Sequence, residues 1–192
     1  MVKTENFEQV EIESQTQLRE WLLENHAQQQ SIWLVTFKKQ VPDKYVSVHQ
    51  VLDELLCFGW IDGIRRKLDD DRTMQLIAPR KVEHWTKTYK DRYAILEGKG
   101  LVQNAGKASV SKSKAAGLWD FMDDVDALIK PEDFTKVLSN FENATNNFNA
   151  FGASSQRFIL RWIKLAKTSE TRAKRIQEAA ELADKNLKIP GL

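Results

Sequence analysis

The chain has 192 residues, 42% of them hydrophobic and 29% charged, and its 29 basic and 27 acidic residues leave a net charge of +2. This is the composition of a globular chain, not a disordered one, and no apolar run approaches the roughly 20 residues that span a bilayer. One cysteine, Cys57, excludes an internal disulfide framework and a cysteine-rich zinc site. His26, His49 and His84 are too far apart to show a metal-ligand spacing.

No metal or cofactor is implied by these residues. The first residues are acidic and lack an apolar h-region, so a secretory signal is not expected and a reduced, cytoplasmic protein is. The charge is uneven along the chain. The last 42 residues hold nine basic and four acidic residues and carry +5 against −3 elsewhere. Either a solvated helix face or an anionic partner accounts for such a tail.

Alternation of Val10 and Ile12 with Glu predicts a first strand over 8–12. Ser14 or Thr16 caps a helix carrying Leu18, Trp21 and Leu22. The β-branched and aromatic run from Ile32 to Phe37 predicts a strand over 32–38, followed by a loop at Val41-Pro42-Asp43-Lys44. Ser47 heads a helix with Val48, Val51, Leu52, Leu55 and Leu56 on one face, and Gly59 stops it.

Two strands follow, over 60–68 and 72–78, joined by a turn at Asp69-Asp70-Asp71, because Asp side chains bond nearby backbone N–H groups. Trp85, Tyr89, Tyr93 and Leu96 lie at helical spacing up to Gly98, and another helix falls within Gly106 to Leu118. Lys99, Lys107, Lys112 and Lys114 lie in a stretch without acidic residues.

An acidic stretch follows, with Asp120, Asp123, Asp124 and Asp126, and every later pattern is helical. Pro131 suits the first turn of a helix with Phe134, Val137 and Leu138. A short, interrupted helix is expected within Asn140 to Asn149. Ser154 or Ser155 caps a helix with Phe158, Ile159, Trp162, Ile163 and Ala166 inward and Arg157, Arg161 and Lys164 outward.

The last helix, near Glu170 to Asp184, turns Ala173, Ile176, Ala180 and Ala183 inward, and Pro190-Gly191 closes the chain. The order predicts an α+β fold. An antiparallel sheet with flanking helices occupies 1–120, and a C-terminal helical segment over 121–192 docks on it.

Cys57-Phe58-Gly59-Trp60-Ile61-Asp62-Gly63 is the densest candidate for a site. It reads as a pocket wall, with Trp60 as a platform and Asp62 as an acceptor or base, or as a Gly-stopped helix with a core Trp and a turn Asp. Cys57 falls at a helix C-terminus, where the dipole disfavours a thiolate, and is expected to be buried and inert.

Arg80 offers a five-donor fork and Trp85 a flat wall. Arms of similar length bring Asp62 and Arg80 to one end of the hairpin. Trp60, Asp62, Arg80 and Trp85 are therefore expected to converge on an anionic or polar small ligand, with a buried Asp62–Arg80 pair as the bland alternative. His84 near Asp91 is a weak acid/base candidate, and no catalytic triad, phosphate loop or carboxylate pair is present. Arg172 and Arg175 either bind phosphate or tie their helix to Asp120–Asp126.

CFGWIDG (57–63), PRK (79–81) with Trp85, GLWD (117–120) and RFILRWIKLAKTSETRAKRI (157–176) resemble the YdeI/OmpD-associated family, also called the bacteriocin-protection family. The resemblance runs along nearly the whole chain. It implies a YjbR/CyaY-like α+β N-terminal part, a helical C-terminal part, and a role in resistance to bacteriocins or cationic antimicrobial peptides. It brings no catalytic residues. Thr86 and Tyr89 stand where Ser and Asn are usual, and the interval from Pro79 to Trp85 is shorter than usual.

The leading expectation is a stress or protection protein that binds a small anionic ligand or a protein partner, with an indirect effect on any porin. The alternatives are a nucleic-acid-binding protein using the C-terminal helices and an enzyme with a cleft at Asp62 and Arg80. Nucleic-acid binding is expected to be weak and salt-sensitive at most. Arg157, Arg161 and Lys164 have no aromatic residue interleaved on which a base can stack.

Overall fold

Strand β1 (Gln9–Glu11) leads through helix α1 (Gln15–Asn25) to β2 (Ile32–Phe37), which lies beside β1 in parallel. The structure is a computed structural model and describes residues 7–189; the Pro190-Gly191 end lies outside them. The sheet is mostly antiparallel, as expected, and β1 is the exception. Two strands joined by a helical crossover emerge parallel, whereas a tight turn forces antiparallel pairing.

The second half of the sheet is such a turn. Strands β3 (Trp60–Lys67) and β4 (Arg72–Pro79) pair antiparallel, and β4 also pairs antiparallel with β2, giving the order β1-β2-β4-β3. Asp69 Oδ1 accepts from the backbone N–H of Asp71 at 3.0 Å and of Arg72 at 2.6 Å, which is the turn chemistry expected of that residue. The β3–β4 register shifts between Asp62 and Arg65, so a bulge at Gly63 and Ile64 separates the regular arm from the end that carries Trp60 and Asp62.

Helix α2 (Val48–Cys57) packs on α1 and β3, and helices α3 (Lys87–Gly98) and α4 (Asn104–Ala115) pack on α2. Their inward residues include Leu18, Leu22, Val51, Leu55, Leu56, Tyr93, Leu96 and Val110, which meet Ile32, Leu34, Trp60 and Ile77 of the sheet in one core. Ser47 and Gln50 close a full capping box on α2. Ser47→Ala removes one of the two reciprocal bonds. It is expected to lower stability by about 1 kcal/mol in urea unfolding, while Ser47→Asp restores most of the loss.

Residues 1–121 and 122–192 form two compact units. The second contains α5 (Asp123–Asp126), α6 (Glu132–Leu138), α7 (Ala144–Ala150), α8 (Ala153–Lys164) and α9 (Ser169–Asp184). The fold is thus α+β.

The helices of the second unit pack on one another. Phe134, Phe148 and Phe151 stack edge to face, and Ile159, Ile163 and Ile176 are buried. On α9 the inward set is Ile176, Ala179, Ala180 and Ala183, with Ala173 exposed, a correction of one turn. Gly152, not Ser154 or Ser155, precedes α8. Among the described residues no helix is long and apolar enough to cross a membrane.

Candidate functional site

The four singled-out residues come together at the end of the β3–β4 hairpin, though not as ligand-facing walls. Arg80 N–H donates to Gly59 O at 2.9 Å, which carries the pairing one step beyond Trp60 and Pro79. The Arg80 guanidinium turns inward. Nε donates to Trp60 O at 3.2 Å and Nη1 to His84 O at 2.5 Å, and Cζ lies 4.6 Å from the Trp85 ring centre and 4.3 Å from that of Tyr89. Tyr89 then links Arg80 to Asp62, because its hydroxyl donates to Asp62 Oδ1 at 2.8 Å. Gln75 Nε2 reaches Asp62 Oδ2 at 3.4 Å.

Among the described residues no ion pair joins Asp62 and Arg80, so the bland alternative of a direct buried pair is not what the fold builds.

Trp60 and Trp85 have no exposed surface. Trp60 packs edge-on against Trp21 at 5.6 Å and donates Nε1–H to His26 O at 3.1 Å. Trp85 lies between Arg80, Tyr93 and Trp119, and its Nε1 has no hydrogen-bond partner. Both rings back Arg80 from inside the core. Solvent is shut out by α1, α3 and α4, which the two-residue period of a strand does not reveal.

Arg80 is 8% exposed and its Nη2 has no partner. Burial is the largest influence on it and pulls the guanidinium down to about 10, against smaller upward pulls from Tyr89 and Asp62.

Arg80 also lines a cleft of about 360 Å³ at the corner where α2 meets β3. Its other walls include His26 from the end of α1, Phe58 and Gly59 from the corner, and Ala105, Ser109 and Lys112 from α4. No carboxylate lines it. Gly59 has φ +72, and a Cβ there would meet Ser109 Cβ at 2.9 Å, so a glycine is required where α4 approaches the corner. His26, Ser109 and Tyr89 went unnoticed as site residues. On α4, the lysine run containing Lys112 was the feature that marked this wall in the sequence.

Cys57, the last residue of α2, is buried, and desolvation followed by the nearby Glu54 pushes its thiol up to about 11, which leaves it inert.

The basic C-terminal helices are tied down within their own unit. Arg172 pairs with Asp133 at 2.7 Å, Lys164 with Asp124 at 2.5 Å, and Arg157 Nε donates to Asp126 O. Arg175 donates to Trp162 O and lies over its ring. Residues 122–192 hold eleven basic and ten acidic residues, so the acidic stretch offsets the basic tail.

The Arg172 hydrogen bond holds the Asp133 carboxyl below its usual 3.8. A depressed carboxylate stabilises the fold above its unfolded pKa, and that contribution is lost as pH falls below about 4. Arg172→Gln is expected to lower stability by about 0.5 kcal/mol at pH 7, the pair being partly exposed, and by progressively less as pH falls below about 4, as read by urea unfolding across that range.

Residues 10–109 match the family described as a Domain of unknown function (DUF8412). That match spans just over half of the chain, and the chain belongs to that family. Residues 127–186 match the family described as Bacteriocin-protection, YdeI or OmpD-Associated. The family likeness read from the sequence is therefore carried by the C-terminal part. CFGWIDG and PRK lie within the other match, and the YjbR/CyaY-like likeness there rests on resemblance alone. No curated protein and no solved structure matches the chain.

Proposed function

We propose that this is a protection protein of the bacteriocin-protection kind that works by binding, and that it takes a small carboxylate or phosphate in the cleft beside Gly59. The observation that carries this reading is Arg80. It is a nine-tenths-buried cation with no carboxylate in ion-pair range and an unbonded Nη2, at the wall of a cleft that also holds Lys112 and no acid. A buried charge without a counter-ion is rare, and a bound anion supplies one.

Trp60, Trp85 and Tyr89 position the guanidinium, and Asp62 holds Tyr89 in place. Binding is favoured over catalysis because both Asp62 oxygens already accept hydrogen bonds, from Tyr89 and Gln75. The same reading puts the protein in the cytoplasm, where a lone buried thiol such as Cys57 stays reduced. The YjbR/CyaY-like likeness enters it only as an analogy of fold.

The test is thermal unfolding in phosphate and citrate against chloride at matched ionic strength. Anion at 100 times its Kd raises stability by about 2.7 kcal/mol. Lys112→Gln with Ser109→Ala is expected to abolish the rise without altering the melting point in chloride. Cells making that variant are expected to lose protection against a bacteriocin that wild-type cells survive. An anion response that is absent from the wild type, or equal in the variant, overturns the reading.

A further inference from the structure

Helix α4 has a second cleft on its other flank. Most other cations of the first unit with a nearby acid are paired: Arg19 with Glu54, Lys44 with Glu13, Arg72 with Glu11 and Asp69, and Arg92 with Asp53. Lys99, Lys107, Lys112 and Lys114 have no carboxylate partner among the described residues. Lys107 and Lys114 face a cleft of about 360 Å³ between α3 and α4 whose walls include Lys90, Tyr93, Glu97 and Trp119.

Trp119 is half-buried. Its ring packs on Trp85 at 5.0 Å, and the ammonium groups of Lys114 and Lys90 lie 5.1 and 5.2 Å from its centre. Glu97 is the one carboxylate in the cleft, and it accepts from the Tyr93 hydroxyl at 3.1 Å.

We propose that this cleft holds a nucleotide unit, with a base stacked on Trp119 and its phosphate on Lys107 and Lys114. A flat aromatic beside lysines suits this chemistry, because stacking with point charges is how single strands are held without regard to sequence. Phosphate suits the cleft better than a carboxylate-bearing peptide, because its cations are lysine ammonium groups and no arginine fork lines it. The volume falls in the range of small-ligand sites, about 300–1,000 Å³. Nothing in this assignment depends on the Arg80 cleft.

The experiment uses the full chain, fluorescence anisotropy of a labelled oligothymidylate and of an abasic oligomer of equal length, and competition by adenosine monophosphate, at about 50 mM salt. Lys107 and Lys114 are exposed, so the K107Q/K114Q double variant is expected to fold as the wild type does. It is expected to bind the oligomer at least tenfold more weakly. Its salt slope is expected to be shallower by about 1.4, for two phosphate contacts on a single strand. Trp119→Leu is expected to weaken the base-bearing oligomer at least fivefold and leave the abasic one unchanged.

Displacement by the mononucleotide assigns the site to free nucleotides, and failure of displacement with oligomer binding intact assigns it to strands; either upholds the proposal. Absence of binding, indifference to K107Q/K114Q, or equal affinity for the abasic oligomer overturns it.

Discussion

Gly106→Ala is expected to destabilise the protein by about 2 kcal/mol, although the same change in an exposed helix interior stabilises by about 1. Gly106 is buried in the first turns of α4, where the helix lies on the α2–β3 corner. A Cβ there would lie far inside van der Waals contact with Cys57 O, and 2.9 Å from both Cys57 C and Leu56 O. All three atoms are backbone at the end of α2, so no side chain can swing away. Relief requires α4 to lift, which stretches the bonds that anchor it, Gln103 N–H to Cys57 O at 3.0 Å and Ser113 Oγ to Val82 O at 2.6 Å.

Overpacking of this kind costs about 1–3 kcal/mol and occasionally more, which outweighs the gain in helix propensity. Gly98 ends α3 with nothing within 4 Å of its added Cβ, so Gly98→Ala is the control and is expected to gain up to about 1 kcal/mol. Urea unfolding followed by tryptophan fluorescence reads the first unit, which holds five of the six tryptophans. A gain in stability for both variants would mean that α4 does not rest on the corner.

The features legible in the sequence were those set by local chemistry. The Ser47 N-cap needs only its hydroxyl and the amide three residues on, and the hairpin turn needs only Asp69 and the next amides. The parallel pairing of β1 and β2 was not legible, because the 20-residue connection through α1, and not strand composition, decides it. α5 was missed because one turn of helix built on Asp123, Asp124 and Asp126 has no apolar period to detect.

At the site, the approach of Asp62 and Arg80 to one end of the sheet followed from hairpin geometry. The burial of Trp60, Arg80 and Trp85 did not, since it depends on where α3 and α4 return to the sheet. Tyr89 was read as one more apolar position of a helix. Its hydroxyl, one turn beyond Trp85, proves to be the link between the acid and the arginine. Gly106 is the residue that carries the approach of α4, because a glycine inside a helical pattern usually marks such a contact.

Arg80→Ala is expected to cost about 3 kcal/mol of stability, and the loss by itself does not decide between a structural and a binding role. The substitution removes two ring contacts and leaves Trp60 O and His84 O, inside or beside the core, without their donors. Working against that loss, the fold is relieved of a charge it holds unfavourably. The sign follows from the lowered pKa. A base pulled from its usual range down to about 10 disfavours the charged folded state by about 3 kcal/mol at every pH below about 10, and the penalty fades only as pH rises from there toward the unfolded value.

Arg80→Met keeps the stem between Trp85 and Tyr89 and discards the charge. It is therefore expected to lose only about 1–2 kcal/mol, less than the alanine variant. Arg80→Lys keeps a charge but lacks the fork that spans the two carbonyls, and it is expected to fall below Met in stability. That order, wild type above Met above Lys, reports a guanidinium held for its geometry at the expense of its solvation. The binding role is read separately, by adding phosphate at pH 7. The wild type gains stability because the anion offsets the buried charge, whereas Arg80→Met, with no charge to offset, does not. A phosphate response in Arg80→Met equal to the wild type's would show that the anion sits elsewhere, and Arg80 would then be a purely structural cation wedged between two rings.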